Sequence, residues 1–351
     1  RELFLKGYGV TICTPFPIRK KLTLQQLNYI TSIGVKKLDN PPDPLKSDLW
    51  IDAIFGNNQN KVVDNQIISM FNKKFNSDLG KIVSIDIPTG LCPNSGKVFS
   101  KSAIKANFTL SIGFKKIGIL QDEAIPYVGK IINFDIGLSK NQFSKETNYL
   151  LSITGRDINK ISLSLPPRNA SKYNRGRTLL ITGSNKYLGA TSLVIKGALA
   201  SGVGLVKALV PKMIAKSIWQ VAPEVVLEGY LESSSNGNSM LYESFKNIDF
   251  NRFDSIVIGP GIGRDVHDWE QCIFYLKKFE GILILDADAL NRVAESKEGC
   301  QFFLDKKFQI WITPHINEFQ RLFPKLKQLN NVELALRAAK EFKISILLKG
   351  A

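Results

Sequence analysis

The chain has 351 residues, 44% of them hydrophobic and 22% charged, a composition that suits two globular domains, or one large one, with buried cores. No apolar run approaches the roughly 18 residues of a membrane-spanning helix, so none is expected. The net charge of +16 would attract polyanions, but the lysines are scattered without a sustained basic run, which argues against nucleic-acid binding and suits small anionic nucleotides. In chain order, residues 1–6 read as the end of a helix, stopped at Gly7, and residues 9–14 as a strand. Residues 22–33 carry apolar side chains at 24, 27, 30 and 33, the spacing of an amphipathic helix. A proline-rich loop (40–44) leads to an apolar strand over 49–55 with one charge, Asp52, that ends at Gly56. Residues 63–75 form a second helix. Residues 81–87 are a strand with one carboxylate, Asp86, at its end, and Pro88-Thr89-Gly90 turns sharply after it. Residues 106–113 and 129–136 are further strands. Ligands of open parallel sheets bind beyond the carboxyl ends of the strands, so Asp52 and Asp86 are expected at one site; each also suits a cap on the segment that follows it.

Residues 140–174 are polar, contain Pro166-Pro167, and read as a linker. Residues 178–182 then form a buried-type strand broken by Gly183-Ser184-Asn185. Gly189-Ala190-Thr191 opens a helix with Leu193, Ile195, Ala198 and Leu199 on its apolar side and Thr191 as the expected N-cap. Gly202 and Gly204 end it, and residues 205–210 are the next strand. Glycines allow close approach of the backbone, and a helix start presents free amides to an anion; the same pattern also serves an ordinary strand–helix–strand turn that binds nothing. Strands at 254–258, 281–285, 308–312 and 344–348 alternate with helices at 269–279 and 332–342. Such alternation predicts an α/β fold with a parallel sheet covered on both faces.

Four stretches place ligand-type residues just after strands: GPGIGRD (259–265), DADALN (286–291), TPHINEF (313–319) and LLKGA (347–351). In an α/β order all four share one rim with the glycine loop at 183–191. Anion-binding glycines, a lysine and carboxylates able to hold Mg²⁺ suggest phosphoryl chemistry. Taken singly, Asp286 and Asp288 also suit helix caps, His315 a structural hydrogen bond and Lys349 a solvated charge. Four cysteines far apart, with no CxxC pair, fit free thiols in a reducing cytoplasm.

These motifs carry a specific resemblance. GS-x₂-Y-x-GA (Gly183, Ser184, Tyr187, Gly189, Ala190), SGVGLVKALVP, Pro223-Glu224, GPGIGRD, DADALN, TPHINEF and LLKGA occur in the order found in the ADP-dependent NAD(P)H-hydrate dehydratases, whose fold is ribokinase-like. The first part resembles the Rossmann-like NAD(P)H-hydrate epimerase domain through IDAIFG (51–56), SIDIPTG (84–90), Gly96-Lys97-Val98, the 106–113 strand with Lys115, and the closing FDIGL. The pattern is that of the bifunctional repair enzymes, with an epimerase domain at 1–140, a linker at 141–170 and a dehydratase domain at 171–351. Both expected domains have a three-layer αβα architecture.

The resemblance implies that R and S hydrates of NADH and NADPH (NADHX and NADPHX) are interconverted by the first domain. The second dehydrates the S form with ADP as phosphoryl donor and Mg²⁺. In the epimerase, Asp52 and Thr89 match K⁺ ligands, Gly56, Asn57, Asn58, Gln59, Asn60, Lys61 and Val62 match substrate contacts, and Asp86 matches both a substrate contact and the catalytic position. In the dehydratase, Ala190, Gly261, Gly263 and His315 match the hydrate pocket, and Lys349, Gly350 and Ala351 the start of the nucleotide loop. Departures are also evident. The family's Asn-Asn-Gly-Gly-Asp-Gly loop, expected before residue 1, and its Gly-x-Gly-Asp motif, which carries the phosphoryl-transfer base and is expected after residue 351, are absent, so the chain reads as cut inside both domains. Thr89 replaces a usual Ser, Ser171 a frequent His, and GNNQNKV is an unusual loop. A cytoplasmic homo-oligomer without nucleic-acid or membrane partners is expected. Another ribokinase-like small-molecule kinase, or a non-catalytic nucleotide-binding protein, is the alternative.

Overall fold

The computed structural model describes residues 1–46, 48–60, 62–138, 150–153, 155–160, 167–304, 308–326 and 330–350. The chain divides into two compact units, Arg1–Ser152 and Ile153–Ala351.

In the first unit, β1 (Thr11–Cys13) and β2 (Lys36–Leu38) pair in parallel, with α1 (Lys21–Ser32) between them in sequence. A second parallel sheet runs in the order β3 (Trp50–Asp52), β4 (Ile82–Ile85), β5 (Phe108–Ile112) and β6 (Lys130–Phe134). Helix α2 (Asn65–Ser77) connects β3 to β4 and starts where the Asp64 carboxylate accepts the Gln66 amide at 2.8 Å. One face of α2 delivers Ile67, Ile68 and Phe71 to a core with Trp50, Ile82 and Ile104. A second cluster holds Ile87, Leu91, Ile119 and Val128.

The second unit is built on an eight-stranded sheet in the order β10-β9-β8-β7-β11-β12-β13-β14. Its strands are β7 (Arg177–Ile181), β8 (Leu205–Pro211), β9 (Val226–Ser233), β10 (Ser239–Met240), β11 (Ser255–Ile258), β12 (Ile282–Leu285), β13 (Gln309–Ile312) and β14 (Ser345–Ile346). All pairs are parallel except β9 with β10. Alternate side chains of β7 enter opposite cores. Leu179 and Ile181 join the cluster under α4 (Val266–Leu276) and α5 (Asp288–Glu295), whereas Leu180 joins the one under α3 (Leu188–Ala200). Both faces are therefore covered, as the continuous apolar runs predict, and the α/β class expected from the sequence is borne out. Each fully buried Ile or Leu in these strands contributes about 1.5–3 kcal/mol relative to leaving it exposed.

One expectation is corrected. Helix α3 starts at Leu188, so Thr191 lies inside its first turns rather than capping it, and Tyr187 at the N-cap makes no side-chain cap bond. Nothing in Leu188-Gly189-Ala190 obstructs helical backbone, so the helix begins earlier. The Thr191 hydroxyl turns toward Gly183, where a methyl group would stand 2.3 Å from it. Part of the expected linker, residues 141–149, 154 and 161–166, lies outside the described residues; Gly155–Lys160 within it is a short helix.

Candidate functional site

In the first unit, Asp52 ends β3 and is completely buried. Its Oδ1 accepts from the Thr89 hydroxyl at 2.7 Å and the Ile54 amide at 3.4 Å; its Oδ2 accepts from the Ser84 hydroxyl at 2.8 Å and the Thr89 amide at 2.9 Å. Burial pushes this carboxyl above its ordinary range, against the pull of those hydrogen bonds. All four donors are neutral, so among the described residues no cation answers the charge. A buried carboxyl with a hydroxyl beside it offers hard oxygen donors of the kind a monovalent cation takes.

Asp86 follows β4 with left-handed backbone (φ 72°). That turn aims its carboxylate at the 56–60 loop, where Oδ2 accepts the Asn57 amide at 3.1 Å. Its Oδ1 accepts from the Ile112 amide at 3.3 Å and from the Lys116 ammonium. A methyl group on Gly56 would lie 3.5 Å from Oδ2. Buried Gln59 fastens the same loop to the Pro88-Thr89-Gly90 turn: its Nε2 donates to the Pro88 carbonyl at 3.1 Å and its Oε1 accepts the Gly90 amide at 2.9 Å. Asp86 thus meets the loop directly, while Asp52 meets the turn that Gln59 holds. Lys61 lies outside the described residues. Lys116 was missed, because the motif drew attention to Lys115.

In the second unit the parallel order brings the carboxyl ends of β7, β11, β12, β13 and β14 to one rim. The Gly183 amide and the Thr182 hydroxyl donate to the Pro260 carbonyl at 2.9 and 2.6 Å, joining the first two loops. A methyl group on Gly261 would stand 2.7 Å from the Ala190 methyl, so these two predicted residues are neighbours. Ala287, with left-handed backbone (φ 50°), separates two carboxylates that serve different partners. Asp286 accepts from Lys349 at 2.7 Å, and Asp288 accepts the Gly263 amide at 2.9 Å. The Lys349 amide donates to the Pro314 carbonyl at 2.8 Å, which completes the rim.

Gly263 and Asp288 line a cavity of about 400 Å³ together with Lys186, Tyr187, Asn236, Asn238 and Arg264. Two cationic side chains and two amides make this wall suited to an anionic, hydrogen-bonding ligand. His315 is not in this lining. It is the N-cap of α6 (Ile316–Leu322): Nδ1 accepts the Asn317 and Glu318 amides at 3.1 and 3.4 Å, and Glu318 answers by accepting the His315 amide at 2.9 Å. The cap leaves Nε2 of a half-exposed ring, 3.4 Å from Glu318 Oε1. Ala351 lies outside the described residues. Asn236, Asn238 and Lys186 were not singled out from the sequence, and Arg264 only as part of GPGIGRD; a polar turn such as SSSNGNS carries no periodicity to mark it.

Fold and rim together define an α/β protein of two units, each of which gathers ligand-type residues beyond the carboxyl ends of a parallel sheet. Residues 178–351 match the NAD(P)H-hydrate dehydratase family, and residues 1–118 match the family described as YjeF-related protein N-terminus. The curated bifunctional NAD(P)H-hydrate repair enzyme Nnr of Synechocystis sp. is 32% identical over 354 residues, covering 100% of this chain and 66% of that protein. The protein of the same name from Gloeobacter violaceus is 29% identical over 365 residues, covering 100% and 68%. The chain thus spans about two thirds of the length of these relatives. A solved ADP/ATP-dependent NAD(P)H-hydrate dehydratase from Bacillus subtilis, co-crystallised with ATP/Mg²⁺, aligns with a TM-score of 0.42 at 23% identity, over 52% of this chain and 61% of that one. The chain belongs to the family of bifunctional NAD(P)H-hydrate repair enzymes. No helix among the described residues is long and apolar enough to cross a membrane.

Proposed function

We propose that this protein repairs hydrated NADH and NADPH. The first unit, with residues 1–140 as its domain, epimerises the R and S hydrates. The second, with residues 171–351, dehydrates the S form with ADP. The observation that carries this reading is the match of the whole chain to a relative named as a bifunctional NAD(P)H-hydrate repair enzyme, with its second part matching the NAD(P)H-hydrate dehydratase family.

The site geometry fits the chemistry. Asp86, held between Lys116 and the Asn57 amide at the edge of a glycine loop, is the candidate acid–base group of the epimerase. Asp52 and Thr89 would hold K⁺, whose charge would offset a buried carboxylate next to the loop anchor. In the second unit, the Gly261–Ala190 contact and the Gly263 turn would pack against the hydrate, with Lys186 and Arg264 facing its phosphates. His315 would reach it through Nε2. Lys349 and Gly350 would meet ADP. Transfer of a phosphoryl group from ADP, leaving AMP, turns the ring hydroxyl into a phosphate ester, and loss of phosphate together with the proton of the adjacent ring carbon restores the ring double bond; Mg²⁺ would supply charge neutralisation on the donor's phosphates. Asp288, a carboxylate in the cavity wall, is the residue suited to hold it, because Asp286 is already paired with Lys349.

The test mixes the complete gene product with chemically prepared NADH hydrate and ADP and follows the return of the NADH absorbance band. ADP-dependent recovery of the S form, and of the R form at a rate set by epimerisation, is expected. No recovery with ADP, but phosphorylation of an unrelated small alcohol, would favour a different ribokinase-like kinase.

A further inference from the structure

Behind the cavity lies an ion pair that takes no part in the contacts above. Arg292 sits one turn after Asp288 on α5, and Asp268 lies in the first turn of α4; both side chains are 0% exposed. Arg292 Nη1 donates to Asp268 Oδ2 at 2.8 Å. Its Nε donates to the Gly263 carbonyl at 2.7 Å, and its Nη2 to the carbonyls of Ser239 at 2.8 Å and Ile262 at 3.2 Å. Asp268 in turn accepts the Leu241 amide at 2.9 and 2.8 Å through its two oxygens, and the Tyr242 amide at 3.0 Å. Besides α4, which carries Asp268, the pair binds three pieces of chain to one point: the glycine turn after β11, the segment at β10, and α5. These are the pieces that present Gly263 and Arg264, Asn238, and Asp288 to the cavity.

A buried ion pair adds little stability over apolar side chains of equal volume, but it admits few geometries, because each donor and acceptor must be met. Burial pulls the Arg292 guanidinium down and the Asp268 carboxylate beside it holds it up. The planar fork, which lysine cannot imitate, sets the spacing of the carbonyls it joins.

We propose that Arg292 and Asp268 are positioning residues for the hydrate pocket: together they fix the spacing between the Gly263 turn, the Asn238 segment and Asp288. The ligand named here rests on the function proposed above; the geometric role does not. The test is the double variant Arg292→Met with Asp268→Leu in the complete gene product, which removes both charges and so avoids stranding one in the core. The Leu241 and Tyr242 amides and the Gly263 carbonyl lose these partners, so the variant's melting temperature is expected to fall; assayed where it is folded, its kcat/KM for the hydrate is expected to fall roughly 10²-fold, mainly through KM. Amide hydrogen exchange at Ser239 and Gly263, neither of whose N–H groups bonds to the pair, is expected to accelerate, with exchange in β7 and β12 unchanged. A role in stability alone would lower the melting temperature and leave KM at its wild-type value in the folded variant. Wild-type KM and wild-type exchange at the two amides in the folded double variant would overturn the proposal. Should that variant not fold, Arg292→Lys carries the same two readouts and the same expectation, since it keeps a charge for Asp268 and loses the fork. Accelerated exchange in a protein whose wild type leaves hydrate untouched would refute the hydrate assignment and not the geometric role.

Discussion

Gly263→Ala tests the cavity wall with a single methyl group. Gly263 has φ 77°, and the added Cβ would stand 2.3 Å from Asn238 Oδ1, 2.7 Å from its Cγ and 2.9 Å from its Cβ. The left-handed backbone costs a non-glycine residue roughly 1–2 kcal/mol. Asn238 cannot yield by its tip alone, because its whole side chain is close; it must give up the bond from Nδ2 to the Arg264 carbonyl at 3.0 Å, worth about 0.5–1.5 kcal/mol. The destabilisation expected is about 2–3 kcal/mol, which for a unit of this size lowers the melting temperature by roughly 5–10 °C. Gly197→Ala is the control. Gly197 is exposed within α3 with nothing within 4 Å of the added methyl, and alanine there should stabilise by roughly 0.5–1 kcal/mol. Thermal denaturation of both variants, with hydrate KM measured alongside, checks the sign as well as the size. Equal melting temperatures for the two, with unchanged KM in Gly263→Ala, would refute the packing argument.

Asp52→Asn should abolish any rise in melting temperature that KCl gives over the chloride of a bulky organic cation. The sign with pH follows from the raised carboxyl: the neutral form favours folding below the unfolded carboxylate pKa, and that contribution is lost as pH rises through the higher folded value, so the K⁺ effect should grow with pH. A K⁺ effect that persists in the variant would move the ion elsewhere. Lys349→Met breaks a partly exposed ion pair, so stability should change by no more than about 1 kcal/mol, while ADP binding measured by calorimetry weakens roughly tenfold; unchanged ADP affinity would remove Lys349 from the nucleotide site. Among the thiols, burial pushes Cys300 up to about 12 and Cys272 higher still, whereas at Cys92 burial is outweighed by hydrogen bonds from Ser95 and the Asn94 backbone, which bring it below its ordinary value. Mass-spectrometric mapping of limited alkylation at neutral pH should therefore find Cys92 labelled before Cys272 and Cys300, and labelling of Cys300 first would contradict that order.

The strands that were legible in the sequence are the short apolar runs at the centre of the second sheet. β7, β11, β12 and β13 are short apolar runs with at least one buried face, and Gly183, Gly259, Asp286 and Pro314 stand within two residues of their carboxyl ends. β9 was not read as a strand: Glu228 and Gly229 interrupt it, and Glu228 is there to meet Lys207 on β8 at 2.6 Å. β2 is three residues with two lysines, too short and polar for a pattern. The rim was legible because its ligand-type residues follow strands directly. Arg292 and Asp268 were not, since a charge on an amphipathic helix reads as its wet face until the partner 24 positions away is known. His315 was legible as a residue of interest but not as a cap, which depends on the turn that Glu318 closes.

The left-handed residue between Asp286 and Asp288 has an evolutionary consequence. Two acids one residue apart would ordinarily share their surroundings, so losing one would disturb the other. Here the Ala287 twist sends them to separate partners, a lysine from β14's loop and an amide from β11's. Drift at position 286 would release Lys349 while the Gly263 turn stayed held, and drift at 288 would do the reverse. The Lys349 end and the Gly263 end of the rim can therefore be tuned, or lost, one at a time.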